Sequence, residues 1–274
     1  MRFALLSLLG FLALSLLAAT APRDAEAAGL LPAAGSIGFD VSYPQCETKL
    51  PAKASFAVVG VNRGLPFSVN PCLASEFAWA DSKGNAALYM NTANPAPQSS
   101  FYWPSSGSSD PALCRDNRSL SDSGCAYDYG WHAAENALLT ARDTIGASAS
   151  SVVWWLDVET ANSWNGTPAA NAADIQGSID YLRSQGVPMV GIYSTGYQWG
   201  AITGGYSTTT ASQYLQVWSG VAPSNPIGQS PNWIAGLSSL KRAQANCTSS
   251  FSGGAVVIAQ YRSGSFDGNY ACPQ

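Results

Sequence analysis

Val152-Val153-Trp154-Trp155-Leu156-Asp157-Val158-Glu159-Thr160 is an apolar run that ends in two carboxylates. Its β-branched and aromatic residues favour a strand. The run is nearly continuous instead of alternating, which suits a parallel strand covered on both faces. Six further runs of this kind lie over residues 37–41, 56–61, 87–90, 189–193, 214–218 and 256–261. Between them the sequence predicts helices over 74–82, 129–144, 170–185 and 237–245. The third has the clearest stop signal, since Gly186 follows it directly. Strands that alternate with helices point to parallel βα units.

Seven or eight strands in a chain of 274 residues favour a closed, irregular β/α-barrel; an open sheet is the alternative. Residues 92–127 are rich in Ser, Pro, Asn and Asp and read as a long insertion loop pinned by Cys114 and Cys125. The stretch 219–231 reads as a loop and not a linker, because a further strand is needed after it. No internal repeat or second domain is visible.

The start of the chain stands apart from this pattern. Arg2 is followed by an apolar stretch over 3–21, then Pro22, Arg23 and Asp24, and then Ala25-Glu26-Ala27. This is the order of a secretory signal peptide over 1–27, with a membrane anchor as the competing reading. The sequence therefore predicts an exported protein whose globular domain spans 35–274 and which lies in no membrane after cleavage. Hydrophobic residues make up 46% of the chain and charged residues 11%, a balance that excludes disorder. The net charge of −4, with scattered Lys and Arg, gives no basic patch for nucleic acid. A monomer is expected.

Six cysteines in an exported chain read as disulfides. The preferred pairing joins sequence neighbours: Cys46–Cys72, Cys114–Cys125 and Cys247–Cys272. Metal binding competes poorly, because no C-x-x-C spacing occurs and His132 is the only histidine. No cofactor is expected.

The chemistry centres on the D-x-E. Residues two apart on a strand point to the same side, so Asp157 and Glu159 project together where a buried strand reaches its C-terminal end. Catalytic groups gather at that end of a barrel. Two carboxylates held this close resist double ionisation, so one should keep a proton near neutral pH. A general acid beside a stabilising anion is what glycoside hydrolysis requires. The bland alternative is a surface pair capping the next helix. Trp154 and Trp155 weigh against it, as sugar-stacking faces or as an apolar wall. Asp40, in Gly38-Phe39-Asp40-Val41-Ser42, ends the first predicted strand, and Asp267 follows the last. In a closed barrel these two approach one rim. Alone, each reads as a turn residue.

An early D-x-S with a Gln shortly after (Asp40, Ser42, Gln45), then Asp157 and Glu159, then Gly191-Ile192-Tyr193-Ser194, and finally Gln260-Tyr261 with Asp267 form an ordered set. The set resembles the family 25 glycoside hydrolases, the lysozyme-like muramidases, from about residue 37 to residue 271. The chain also resembles a group of secreted actinobacterial proteins related to that family. The resemblance implies an irregular β/α-barrel that cleaves the β-1,4 bond after N-acetylmuramic acid in peptidoglycan. It implies Glu159 as proton donor, with Asp157 orienting and stabilising, either against an N-acetyl group acting as internal nucleophile or as base for water. It implies that Asp40 and Asp267 hold and tune the pair. Tyr193, Trp218, Trp155, Gln260 and Tyr261 would bind the sugar.

Two features depart from the family. Val61-Asn62-Arg63-Gly64 stands where members often carry an acid, and the 92–127 insertion is long. His132 reads as a packing or surface residue, and without a second histidine Ser–His or Cys–His catalysis has little support. The competing functions are a glycan-binding barrel with little or no catalysis, and a hydrolase of another sugar polymer.

Overall fold

The computed structural model of the protein describes residues 29–207 and 226–274, apart from Gln98 and Asp110. The expected signal segment, the expected strand over 214–218 and Trp218 lie outside these residues. Eight described strands close a barrel in chain order: β1 (Ile37–Val41), β2 (Ala57–Gly60), β3 (Ala86–Asn91), β4 (Val153–Asp157), β5 (Val190–Ser194), β6 (Asn232–Leu237), β7 (Val256–Ser263) and β8 (Phe266–Ala271). Neighbours from β1 to β7 pair in parallel, as the apolar runs required.

β8 corrects the expectation that Asp267 lies beyond the last strand. It pairs antiparallel with both β7 and β1 and so closes the barrel. The cause is a two-residue loop between Ser263 and Phe266, with Gly264 at φ 68°, where a glycine is what a tight hairpin needs. A loop this short returns the chain beside β7 in the opposite direction. β6 was also unread, because Asn232 and the Ala235-Gly236 pair interrupt its apolar pattern; register shifts against β7 mark that irregularity.

Helices α1 (Leu73–Asp81), α2 (Ser123–Ile145), α3 (Pro168–Ser184), α4 (Gly196–Thr203) and α5 (Leu240–Ala245) cover the outside. α2 starts within the expected insertion loop, with the Asp122 side chain accepting from Cys125 N. α4 was not anticipated from sequence; Thr195 caps it by accepting from Gln198 N. α2 and α3 meet almost backbone to backbone: a Cβ on Gly130 would lie 1.9 Å from the Asp174 carbonyl oxygen. None of the described helices is long and apolar enough to cross a membrane.

One apolar core lies between sheet and helices and includes Val41, Val59, Leu88, Trp154 and Leu156. A second fills the barrel with Phe56, Val58, Val153, Trp155, Trp233 and Ile258. Interior aromatics fit because glycines face them: a Cβ on Gly191 would lie 2.3 Å from the Trp155 ring, and one on Gly38 2.6 Å from Phe56. The three expected disulfides, Cys46–Cys72, Cys114–Cys125 and Cys247–Cys272, are all formed.

Candidate active site

Inward-facing residues become polar toward the C-terminal ends of the parallel strands. Along β4 the sequence Val153, Trp155, Asp157 runs from the apolar interior to a carboxyl only 7% exposed. Along β3, Tyr89 is followed by Asn91, whose side-chain amide donates to Asp157 Oδ2. The Asp157 backbone oxygen accepts from Thr92 N (3.1 Å) and Thr92 Oγ1 (2.6 Å), which joins the loop after β3 to the strand carrying the acid. Asp157 Oδ1 is buried and has no hydrogen-bond partner among the described residues. Burial, then the nearby charge of Glu159 and then that of Asp40, raises Asp157 well above the usual carboxylate range.

Glu159, two residues further along, is half-buried. Gln198 Nε2 donates to its Oε1 (2.9 Å). Trp164 Nε1 donates to its backbone carbonyl (2.9 Å), fixing the chain just past β4. Burial and the two neighbouring charges thus favour the protonated form of Asp157.

Asp40 on β1 pairs across the closing seam with Asp267 on β8. Its carboxylate accepts from Asn269 Nδ2 (2.6 Å) and Gln260 Nε2 (3.1 and 3.2 Å). Both amides are locked in orientation. Trp233 Nε1 donates to Asn269 Oδ1 (2.8 Å), while Tyr193 OH (2.8 Å) and Gly236 N (2.9 Å) donate to Gln260 Oε1. Burial, together with Asp267, nevertheless pushes Asp40 up to about 7 against these bonds. Asp267 is exposed on the rim; partial burial raises it, and Arg262 pulls the other way.

The structure therefore brings Asp40, Asp157, Glu159, Asp267, Tyr193 and Gln260 to one mouth. Two expected sugar contacts are corrected. Trp155 is 1% exposed and faces Trp233 inside the barrel, so it is a wall beneath the carboxyls and offers no open face. Trp154, on the outer side of β4, is fully buried and donates to the Ala149 carbonyl. Tyr261 is the second correction, because strand alternation sends it outward when Gln260 points in. It packs with Ile234, Ala243 and Cys272.

Asn91, Asn269, Trp233 and Gln198 were missed. Asn91 and Asn269 stand two residues from Tyr89 and Asp267 on their strands, and that period-two signal could have found them. Asn62, from the departing Val-Asn-Arg-Gly stretch, exchanges two bonds with the Asn91 backbone (2.9 and 3.1 Å) and brings no charge. His132 lies on α2 beside Glu135 (2.9 Å), both partly exposed, as a surface residue would.

The protein-family model described as Lysozyme-like protein 1 matches residues 139–232, a span that holds Asp157, Glu159 and Gln198. A probable GH family 25 lysozyme 4 of Dictyostelium discoideum is 39% identical over 62 residues, 23% of this chain and 28% of that protein. The chain is thus similar to a GH25 lysozyme over less than a quarter of its own length, and the match spans less than a third of that relative. Among solved structures, the Clostridium perfringens spore cortex lytic enzyme SleM superposes with a TM-score of 0.53 at 10% identity, over 86% of this chain and 67% of that one. At that identity the likeness is one of fold. A GH25 lysozyme from Aspergillus fumigatus aligns over 87% of this chain and 95% of its own, at 13% identity and a TM-score of 0.48.

Proposed function

We propose that the protein is a secreted glycoside hydrolase that cleaves β-1,4 bonds in peptidoglycan, with Glu159 as the acid. The observation that carries this reading is the meeting of Asp157, Glu159 and Asp40 at the C-terminal mouth of a closed barrel, one of them with a buried, unpartnered oxygen. The match of the Lysozyme-like protein 1 model over the D-x-E and the partial similarity to a GH25 lysozyme support the same reaction class, and the three disulfides suit an extracellular setting.

Glu159 protonates the leaving glycosidic oxygen while Asp157 stabilises the developing cation or the N-acetyl group that attacks it. Because the two acids are coupled, both limbs of the pH–rate profile belong to the pair.

The test is turnover of purified peptidoglycan with products identified by mass. Glu159→Gln should bind glycan as wild type does and lose about 10²- to 10⁴-fold in rate, since an amide cannot donate the proton. Equal glycan binding by both proteins, with no product from either, would leave a glycan-binding barrel in place of the enzyme.

A further inference from the structure

We propose that Gln198 is a positioning residue for Glu159, one that commits Oε1 as an acceptor and leaves Oε2 as the oxygen that carries the transferable proton. The inference rests on the hydrolase reading above. It starts from the orientation of the Gln198 amide. Gln198 Oε1 lies 2.6 Å from the backbone N of Thr160 and 3.0 Å from Thr160 Oγ1. A backbone N–H can only donate, so the amide oxygen must face Thr160 and the NH₂ must face Glu159. The bond from Nε2 to Glu159 Oε1 at 2.9 Å therefore has one possible direction.

Gln198 is itself held at both ends. Its backbone N donates to Thr195 Oγ1 (3.1 Å) at the cap of α4, so the side chain leaves the first turn of a helix and reaches across to the loop after β4. The amide thus clamps two consecutive residues, the Glu159 side chain and the Thr160 backbone. An acid that donates toward a leaving oxygen gains nothing from a proton on the wrong oxygen or from a carboxyl free to turn. Gln198 removes both freedoms. It also offers the carboxylate a hydrogen bond once the proton has left, when charge has developed on it.

The experiment measures kcat and KM on soluble peptidoglycan fragments for wild type, Gln198→Ala, Gln198→Met and Gln198→Glu, with circular dichroism as the fold control. Gln198→Met keeps the length of the side chain and loses the donor. Both Gln198→Ala and Gln198→Met should lower kcat by about 10- to 100-fold, the worth of a hydrogen bond to a charged group, with KM within about twofold. Gln198→Glu should retain most activity in acid, where its own carboxyl still carries a donor. Its rate relative to wild type should then fall as pH rises and the new charge opposes Glu159. A merely structural residue would not produce that pH dependence. Wild-type turnover matched by Gln198→Met, or a Gln198→Glu ratio that stays flat with pH, overturns this inference alone. Loss of the folded signal in both Gln198→Ala and Gln198→Met would also overturn it, as a scaffold role. Absence of turnover in wild type overturns the hydrolase reading and this one with it.

Discussion

The two ends of the barrel interior are built from the same strands by the same alternation, yet they solve opposite problems. At the N-terminal end, Leu30, Leu31 and Pro32 close over Phe56, Val58, Ala87, Val153, Trp155 and Ile258, leaving only a small gap. At the C-terminal end the next inward position on several of these strands is polar: Asn91 two beyond Tyr89, Asp157 two beyond Trp155, Gln260 two beyond Ile258. One end gains stability by removing apolar surface from water. The other holds carboxyls where water is scarce, which costs stability and shifts their protonation. A single strand such as β4 carries both roles within three inward positions.

The comparison breaks first at its apolar end. Trp155→Ala should cost about 3–5 kcal/mol of folding stability, because the cavity lies between Phe56, Trp233 and Ile258 and cannot collapse easily. Denaturant unfolding gives the number; a loss below about 1 kcal/mol would mean the interior repacks.

At the polar end the sign reverses. Asp40, raised to about 7, and Asp157, raised by burial, hold protons in the folded state that the unfolded chain releases near pH 4. Their contribution to stability is therefore fully present below about pH 4 and is lost as pH rises toward 7 and beyond. Asp157→Asn keeps the acceptor for Asn91 and removes the buried ionisable group. It should raise the thermal midpoint at pH 8 by roughly 2–4 °C, with the gain fading at pH 4, while turnover falls sharply. Thermal scans of both proteins at the two pH values check this; a midpoint difference independent of pH would show that Asp157 does not titrate as described.

The smallest effect is expected where the network is doubly secured. Tyr193→Phe removes one of two donors to Gln260 Oε1, and Gly236 N keeps the amide oriented toward Asp40. The rate should fall less than about tenfold, the worth of one neutral hydrogen bond. A larger loss would mean that the phenol itself meets the substrate.

Much of this molecule was legible in the sequence for a local reason. Apolar runs at 37–41, 152–158 and 256–261 name strands because a strand covered on both faces must be apolar along its length. Cysteines close in sequence found each other because short loops close at little entropic cost. The D-x-E was visible because period-two alternation puts both carboxylates on one side where an apolar strand ends.

What only the tertiary structure decided are relations between distant residues. The approach of Asp267 to Asp40 was expected, but the return of β8 as an antiparallel strand set their register and turned Asn269 inward against Asp40, which no local pattern encodes. Tyr261 was a ligand contact by family resemblance and Trp155 by its place beside the D-x-E, and strand direction sent one outside and the other under the floor. Gln198 carries no motif at all; α4 delivers it to Glu159. Above all, the rise of Asp157 above the usual carboxylate range depends on how little water it keeps, and that is set by which strands close around it, not by the letters on either side.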